Sequence, residues 1–444
     1  MEKTDTSYIL KHAKDHNVKF IRLWFTDILG FLKSFAIVVD ELEEALNEGI
    51  GFDGSSIEGF ARIDESDMLA VPDPETFQIL PWRPQEQHAV ARMFCDIHYP
   101  DGRPYESDPR WVLKSSLKRA HDMGYTFYVG PEIEFFYFRS DQAPPQGLDR
   151  GGYFDLTPLD AASDLRRDTV MTLEQVGIEV EYSHHEGAPS QHEIDLRYTD
   201  ALSMADTIMT TRLVVKEIAA KHGLYASFMP KPLAQCNGSG MHTHMSLFRG
   251  EKNAFHNPDS PQTLSRMGQQ FVAGLLKHAP EFTLITNQWV NSYKRLTPGF
   301  EAPTYIAWAY RNRAHLLRVP AIKAGREAST RVELRSPDVA CNPYLVFAVL
   351  LSAGLEGIEK GYDPIPAVEG SPEQMTEQER VERGVKQLPT DLNQAILYAS
   401  QSELVRKTLG EHVFNKLLEN KRIEWRKFMS HVTDYEWERY LPLL

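Results

Sequence analysis

At 444 residues, with 42% hydrophobic and 25% charged residues, the chain has an ordinary globular balance and length enough for two or three domains. Its net charge of −14, from 48 Lys and Arg against 62 Asp and Glu, argues against nucleic acid as a partner. Three widely spaced cysteines, Cys95, Cys236 and Cys341, exclude a disulfide scaffold or zinc ribbon; with no apolar run near the roughly 20 residues of a membrane span and no signal-peptide core, the expected location is the cytoplasm.

A helix is expected over 4–16, strands over 18–28 and 34–39, and a short helix from Asp40. The stretch "GFDGSSIEGFARIDESD" (51–67), rich in glycine and small polar residues, reads as a loop, and proline punctuation follows through "HYPDGRPYESDPR". A boundary near 104, ahead of a helix at 109–123, divides the chain into a small α+β domain (1–104) and a large domain (105–444). The large domain alternates strands with amphipathic helices at 160–176, 200–222 (Asp200 as N-cap, Gly223 as stop), 262–279 and 342–360 (Asn342 as cap, Pro343 in the first turn). Residues 385–440 read as mostly helical, and the polar segment 369–384 as surface.

Four strands share one design. "GPEIEFFYF" (130–138) puts Glu132 and Glu134 on one face, and "HEIDLRY" puts Glu193, Asp195 and Arg197 together. "MHTHMSLF" groups His242, His244 and Ser246 opposite Met245 and Leu247, and "RVELRS" groups Arg331, Glu333 and Arg335. One such strand would be an exposed face. Four of them suggest a curved sheet that gathers ionisable groups into a hollow. Carboxylates side by side in an aromatic strand repel unless a cation lies between them. The candidate ligands are Glu132, Glu134, Glu186, Glu193, Glu333 and His242; oxygen-rich and without a thiolate, they suit two or three Mg²⁺ or Mn²⁺ ions. His184, His185 and His192 are taken as structural or surface residues. Arg311, Arg313, Arg318, Arg331 and Arg335, with Lys294 and Arg295, add the guanidinium forks that phosphoryl transfer uses beside metals. There is no "GxxxxGK[ST]" loop and no strand-linked "GxGxxG", so ATP would be held by another kind of site. The Gly-rich turn "CNGSGMH" (236–242) allows a close backbone approach to a ligand.

Seven spaced motifs, "FDGSSIEGF", "GPEIEFF", "GGYFD", "SHHEGAPSQHEID", "KPLAQCNGSGMHTHMSLF", "NSYKRLTPGFEAP" and "RVELRSPD", appear in family order. Through them essentially the whole chain resembles the glutamine synthetases of the bacterial type I class. The resemblance implies an α+β fold: a small β-grasp-like domain, then a large catalytic domain whose curved antiparallel sheet (a half-barrel) is surrounded by helices. It implies ligation of ammonia to the γ-carboxylate of glutamate at the expense of ATP, through γ-glutamyl phosphate. One metal is expected on Glu134, Glu186 and Glu193, and a second on Glu132, His242 and Glu333. Asp53 would bind ammonium and take its proton, with Ser56, Tyr153 and Glu186 around it. Glu301 would sit on a flap over the acyl phosphate. Arg295, Arg313 and Arg335 would hold the glutamate carboxylate and the phosphoryl group, and Asn237 and Gly238 the substrate glutamate. Glu181, His244, Ser246, Arg318 and Arg331 would line the nucleotide.

The pattern departs from the family at Ile133 and Cys236, neither at a ligand position. "VKQLPTDLNQAILYAS" carries no tyrosine motif for adenylylation. That points to the shorter, feedback-inhibited subclass, in which Arg62 would sense glutamine and nitrogen-responsive transcription regulators would be partners. The resemblance further implies a dodecamer of two stacked hexamers with active sites between subunits; the tail "YEWERYLPLL" ends apolar, which suits either insertion into a partner ring or packing on its own subunit. Two rivals are an organic-amine ligase of the same superfamily, disfavoured by the presence of Asp53 and Glu301, and a silent sensor, disfavoured because no metal ligand is missing. Metal-dependent hydrolysis without ATP leaves the arginines unexplained.

Overall fold

The computed structural model describes residues 6–55, 57, 67–83, 88–260, 263–323 and 325–444; Ser56 and Arg62 lie outside them. The chain opens with α1 (Thr6–Asp15), then the hairpin of β1 (Val18–Thr26) and β2 (Leu32–Val38), and α2 (Leu42–Glu48). Next come β3 (Ile50–Asp53), β4 (Asp67–Pro72), the short β5 (Gln78–Ile79) and β6 (Ala89–His98). Among the described residues these strands form a six-stranded sheet in the order β2-β1-β6-β4-β3, with β5 on β6. β1 and β6 run parallel, and the other pairs antiparallel. Alternation along the strands gives this sheet two buried faces. Ile21, Leu23 and Phe25, with Met93, Cys95 and Ile97, meet α1 and α2. Trp24 and Phe94 point the other way and join the core of the remaining chain.

After α3 (Pro109–Asp122), the second sheet begins with β7 (Thr126–Phe138). α4 (Ser163–Gln175) precedes β8 (Val180–His185), β9 (Gln191–Leu196) and β10 (Thr199–Asp200). α5 (Ala201–Lys221) leads to β11 (Tyr225–Ser227), β12 (Thr243–Arg249) and β13 (Lys252–Asn253). α6 (Arg266–Thr286) and α7 (Ser292–Arg295) are followed by β14 (Tyr305–Ile306), β15 (Trp308–Tyr310), β16 (Leu317–Val319) and β17 (Val332–Leu334). α8 (Pro343–Glu359), α9 (Glu377–Glu382), β18 (Lys386–Gln387), α10 (Leu392–Ser400), α11 (Glu403–Leu409), α12 (Glu411–Met429) and α13 (Asp434–Tyr440) complete the chain. The main path of the sheet is β15-β16-β17-β12-β7-β9-β8, and β14 pairs apart with β18. The sheet is antiparallel as expected except at β15 and β16, which run parallel.

Caps place the helices where the sequence suggests. Asp200 accepts from the Ser203 N–H at the start of α5, and Asn342 accepts from Tyr344 and Leu345 at the start of α8. α6 departs from expectation: it starts at Arg266, capped by Ser265, and runs through Pro280 to Thr286. Proline removes one backbone hydrogen bond, but the burial of Phe282, Leu284 and Ile285 holds the helix together past it. The polar 369–384 segment contains α9, started by a Thr376–Glu379 capping box.

The small sheet is tied to α3, α5 and α8 by a buried ionic knot. Arg110 on α3 reaches Asp96 at 2.6 Å, Asp73 at 2.7 Å and Asp206 at 3.0 Å, and the Tyr344 hydroxyl donates to Asp206 at 2.6 Å. Beside it Gly30, at φ +87°, lets the β1–β2 turn press on α8; a Cβ there would lie 2.9 Å from Asn342 Cα. The Asn342 amide donates back to the carbonyls of Asp27 and Ile28. Among the described residues no helix is long and apolar enough to cross a membrane.

Candidate active site

Strand register builds the site. β7 pairs with β9 so that Glu134 faces Glu193 and Glu132 faces Asp195. β12 and β17 put His244 opposite Glu333, and β16 puts Arg318 opposite the same Glu333. Two adjoining cavities result. One, of about 390 Å³, is lined by Glu132, Glu134 and Glu193 on the sheet and by Glu186 and His242 just beyond the ends of β8 and β12, with Tyr153, Asn237, Gly238, Glu301, Arg313 and Arg335 around them. The other, of about 360 Å³, is lined by Glu181, His244, Ser246 and Arg331. Glu132, Tyr182, Arg313 and Arg318 are common to both.

On one side the acids already have cationic or N–H partners. Glu132 pairs with His242 Nδ1 at 2.6 Å and His244 Nε2 at 2.8 Å, and Arg331 Nε donates to His244 Nδ1 at 3.1 Å. Burial opposes its charge, yet the two imidazoles hold its carboxyl well below the usual range. Glu333 is fully buried between Arg318, at 2.5 Å, and Arg335. Burial again works upward, but His244 and Arg335 bring its pKa to about 2.

On the other side no cationic group lies within hydrogen-bond distance of the acids among the described residues. Glu134 accepts from Gln191 Nε2 and the Gly240 N–H, both at 2.9 Å. Glu186 is pushed up to about 8 by burial and by Glu134. Glu193 is raised well above its ordinary value by burial, Glu134 and Asp195. The nearest imidazole, His184, stands 3.6 Å from Glu186 and 3.5 Å from Glu193.

These residues fit divalent ions. Glu186 Oε2 and His242 Nε2 are buried without a hydrogen-bond partner, and His242 Nε2 lies 3.9 Å from Glu134 Oε1. Ligand atoms of Glu132, His242 and Glu333 lie within 4.8 Å of one another. Unpaired buried acceptors of this kind are costly until an ion satisfies them.

The remaining expected residues divide. Asn237 lines the acid cavity and accepts from the Glu301 N–H at 3.3 Å. Arg313 pairs with the Tyr153 hydroxyl. Arg295 is 2% exposed and lines neither cavity; its guanidinium donates to the carbonyls of Arg335, Ser336 and Pro337, and its Nε has no partner. Asp53 is exposed at the end of β3, away from both cavities, where hydrogen bonds from Ser55 hold its carboxyl low. His184, His185 and His192 are not surface residues: they are 8%, 0% and 0% exposed. His185 Nε2 meets Asp149 at 3.1 Å, and Arg166 meets His192 Nδ1 at 2.9 Å, which makes those two structural. The sequence reading missed Tyr182, Phe300 and Gln191. Period-2 counting would have found Tyr182 beside His184, and Gln191 beside Glu193 and Asp195.

Family models of the glutamine synthetase β-grasp domain and of the glutamine synthetase catalytic domain match residues 17–100 and 106–440. The chain is 56% identical over 440 residues to a glutamine synthetase of Mycolicibacterium smegmatis, covering 98% of this chain and 99% of the relative. It is 49% identical to that of Thermus thermophilus, covering 98% of both. Among solved structures, a GmaS/ADP complex superposes with a TM-score of 0.88 at 32% identity, covering 98% of this chain and 99% of that one. Plasmodium falciparum glutamine synthetase, at 24% identity, shares the fold with a TM-score of 0.87, covering 98% of this chain and 99% of that one. With an N-terminal β-grasp domain, a curled half-barrel and relatives of the same name along nearly its whole length, the chain belongs to the glutamine synthetase family.

Proposed function

We propose that the acid-lined cavity binds glutamate and the adjoining one ATP, with the phosphoryl group passing across the shared wall of Glu132, Arg313 and Arg318. The observation that supports this most is that wall: carboxylates on one side, His244, Ser246 and Arg331 on the other, and two guanidinium groups between them. The chain is an ATP-dependent ligase that joins ammonia to the γ-carboxylate of glutamate and uses divalent metal. Two or three Mg²⁺ or Mn²⁺ ions would be held by Glu134, Glu186 and Glu193 and by Glu132, His242 and Glu333. When bound, they supply charge neutralisation for the carboxylates and the phosphate oxygens.

The protein's own groups do the rest. Asn237 and Gly238 orient glutamate, and Arg335 and Arg313 hold its carboxylate and the departing phosphoryl oxygens, while Arg295, turned to three carbonyls behind the wall, braces the Arg335 backbone instead of touching substrate. Glu181, His244, Ser246 and Arg331 line the nucleotide. Glu301 closes the acid cavity so that ammonia, not water, meets the acyl phosphate. Asp53 takes the ammonium proton with Ser56 and Tyr153 nearby. Because Asp53 stands away from its own chain's cavities, this reading places it in a neighbouring copy's site, within a dodecamer of two stacked hexamers. The cytoplasm, a division near residue 104, glutamine sensing at Arg62 and binding of nitrogen-responsive regulators complete the reading.

Phosphate release from ATP, Mg²⁺ and glutamate, measured with ammonium, with organic amines and with neither, tests it. Ammonium-dependent release is expected. Release with amines alone would select an amine ligase, and no release would select a silent sensor. In the same assay Asp53→Ala should lose ammonium use while ATP still binds; unchanged ammonium kinetics would remove Asp53 from its role.

A further inference from the structure

Lys231 is a buried charge for which the reaction as described has no use. It is 6% exposed, and among the described residues no carboxylate pairs with it. Its backbone is clamped from both sides by Asn291, whose Oδ1 accepts from Lys231 N at 2.7 Å and whose Nδ2 donates to Lys231 O at 3.1 Å. The ammonium donates to the carbonyl of Cys236, at the start of the Gly-rich turn. Its remaining face stands 3.2 Å from the ring centroid of Phe300. Burial lowers its proton affinity, the cost expected of a cation held without a counterion.

Phe300 is the residue before Glu301, and both line the acid cavity. A second tie on the segment is the Glu301 N–H bond to Asn237 Oδ1. Both ties therefore run from the flap to the same turn: Lys231 grips the turn through Cys236, and Asn237 is the next residue. A desolvated ammonium on an aromatic face attracts it more strongly than a surface pair would. The clamp by Asn291 fixes the Lys231 backbone, and the Cys236 carbonyl holds the ammonium.

We propose that Lys231 is a positioning residue that latches the flap, with the Phe300 ring docking on its ammonium so that Glu301 closes over the acyl phosphate. This rests on the reading of Glu301 given above. Without the latch, water would reach the intermediate. Its oxygen attacks the γ-carbonyl carbon, the bond from that carbon to the phosphate oxygen breaks, and phosphate leaves with glutamate regenerated. The net reaction is ATP hydrolysis with no glutamine formed.

The test is the ratio of phosphate released to glutamine formed, measured together on the assembled enzyme for the wild type, Lys231→Met, Lys231→Arg, Phe300→Leu and Glu301→Gln. The wild type should give equal amounts. Lys231→Met and Phe300→Leu should release on the order of tenfold more phosphate than glutamine, and Lys231→Arg, which keeps the cation, should restore most of the coupling. A ratio that stays equal in both Lys231→Met and Phe300→Leu overturns the latch, whatever happens to the rate. If Lys231→Met does not fold, Phe300→Leu decides alone. Leakage in Glu301→Gln without leakage in the latch variants removes only the latch. Full coupling in Glu301→Gln removes the flap reading as well.

Discussion

The two halves of the acid-lined hollow are built from the same residue type and solve its electrostatics in opposite ways. Glu132 and Glu333 are held ionised by His242, His244, Arg318 and Arg335 before any ion arrives. Glu134, Glu186 and Glu193 face one another across β7, β8 and β9 with Gln191 and a backbone N–H for company, and burial drives two of them toward the neutral acid. The first half is preformed and mainly positions. The second is charge-starved, and an incoming cation changes it most. Acidic residues near a metal are thus not one class: what surrounds each decides whether the ion organises the fold or merely docks on it.

Glu333→Gln should do the greatest damage to the metal-free protein, because it leaves Arg318 and Arg335 facing a neutral amide in a buried site. A loss of about 3–5 kcal/mol in urea unfolding is expected; a loss near zero would show that the first half is not preorganised. Glu333's pKa is depressed, so its contribution is present above its ordinary 4.5 and lost as pH falls through about 2.

Glu186→Gln should act in the opposite direction and stabilise the metal-free protein by about 1–3 kcal/mol at pH 8. Its pKa is raised from 4.5 to about 8. The stability carried by the neutral acid is therefore complete below the lower value and lost as pH rises through the upper one. Destabilisation by this substitution would end the contrast between the halves.

A third effect is on ion binding itself. Metal binding displaces the protons that Glu186 and Glu193 retain, so Mn²⁺ affinity should rise with pH between 6 and 8, by up to about tenfold per unit for each proton released. Calorimetry in two buffers of different ionisation enthalpy would detect that release. Binding that is flat with pH and releases no proton would place the ion on the preformed half.

The clustering of carboxylates on one sheet face was legible in the sequence because strand alternation puts Glu132 with Glu134, and Glu193 with Asp195, whatever the fold. The contrast between the halves was not, since it depends on register: Arg318 faces Glu333 only because β16 and β17 pair as they do. The helices of the large domain were legible through Asp200 and Asn342, whereas α6 outran its expected end because packing around Phe282 outweighs Pro280. Arg295 lay beyond the sequence for a related reason: nothing in "NSYKRLTPGFEAP" says that its guanidinium will be spent on three carbonyls behind the wall. The burial of His185 and His192 required the 149–160 segment, distant in the chain, to fold back over them.

The close approach of Gly30 to Asn342, beside the Arg110 knot, rivets the small sheet to the body of the molecule. A jaw-like swing of one domain against the other would have to break that rivet and strand several buried charges on every turnover. Substrate entry and product exit would then fall to short loops at the cavity mouth, such as the one that carries Phe300 and Glu301.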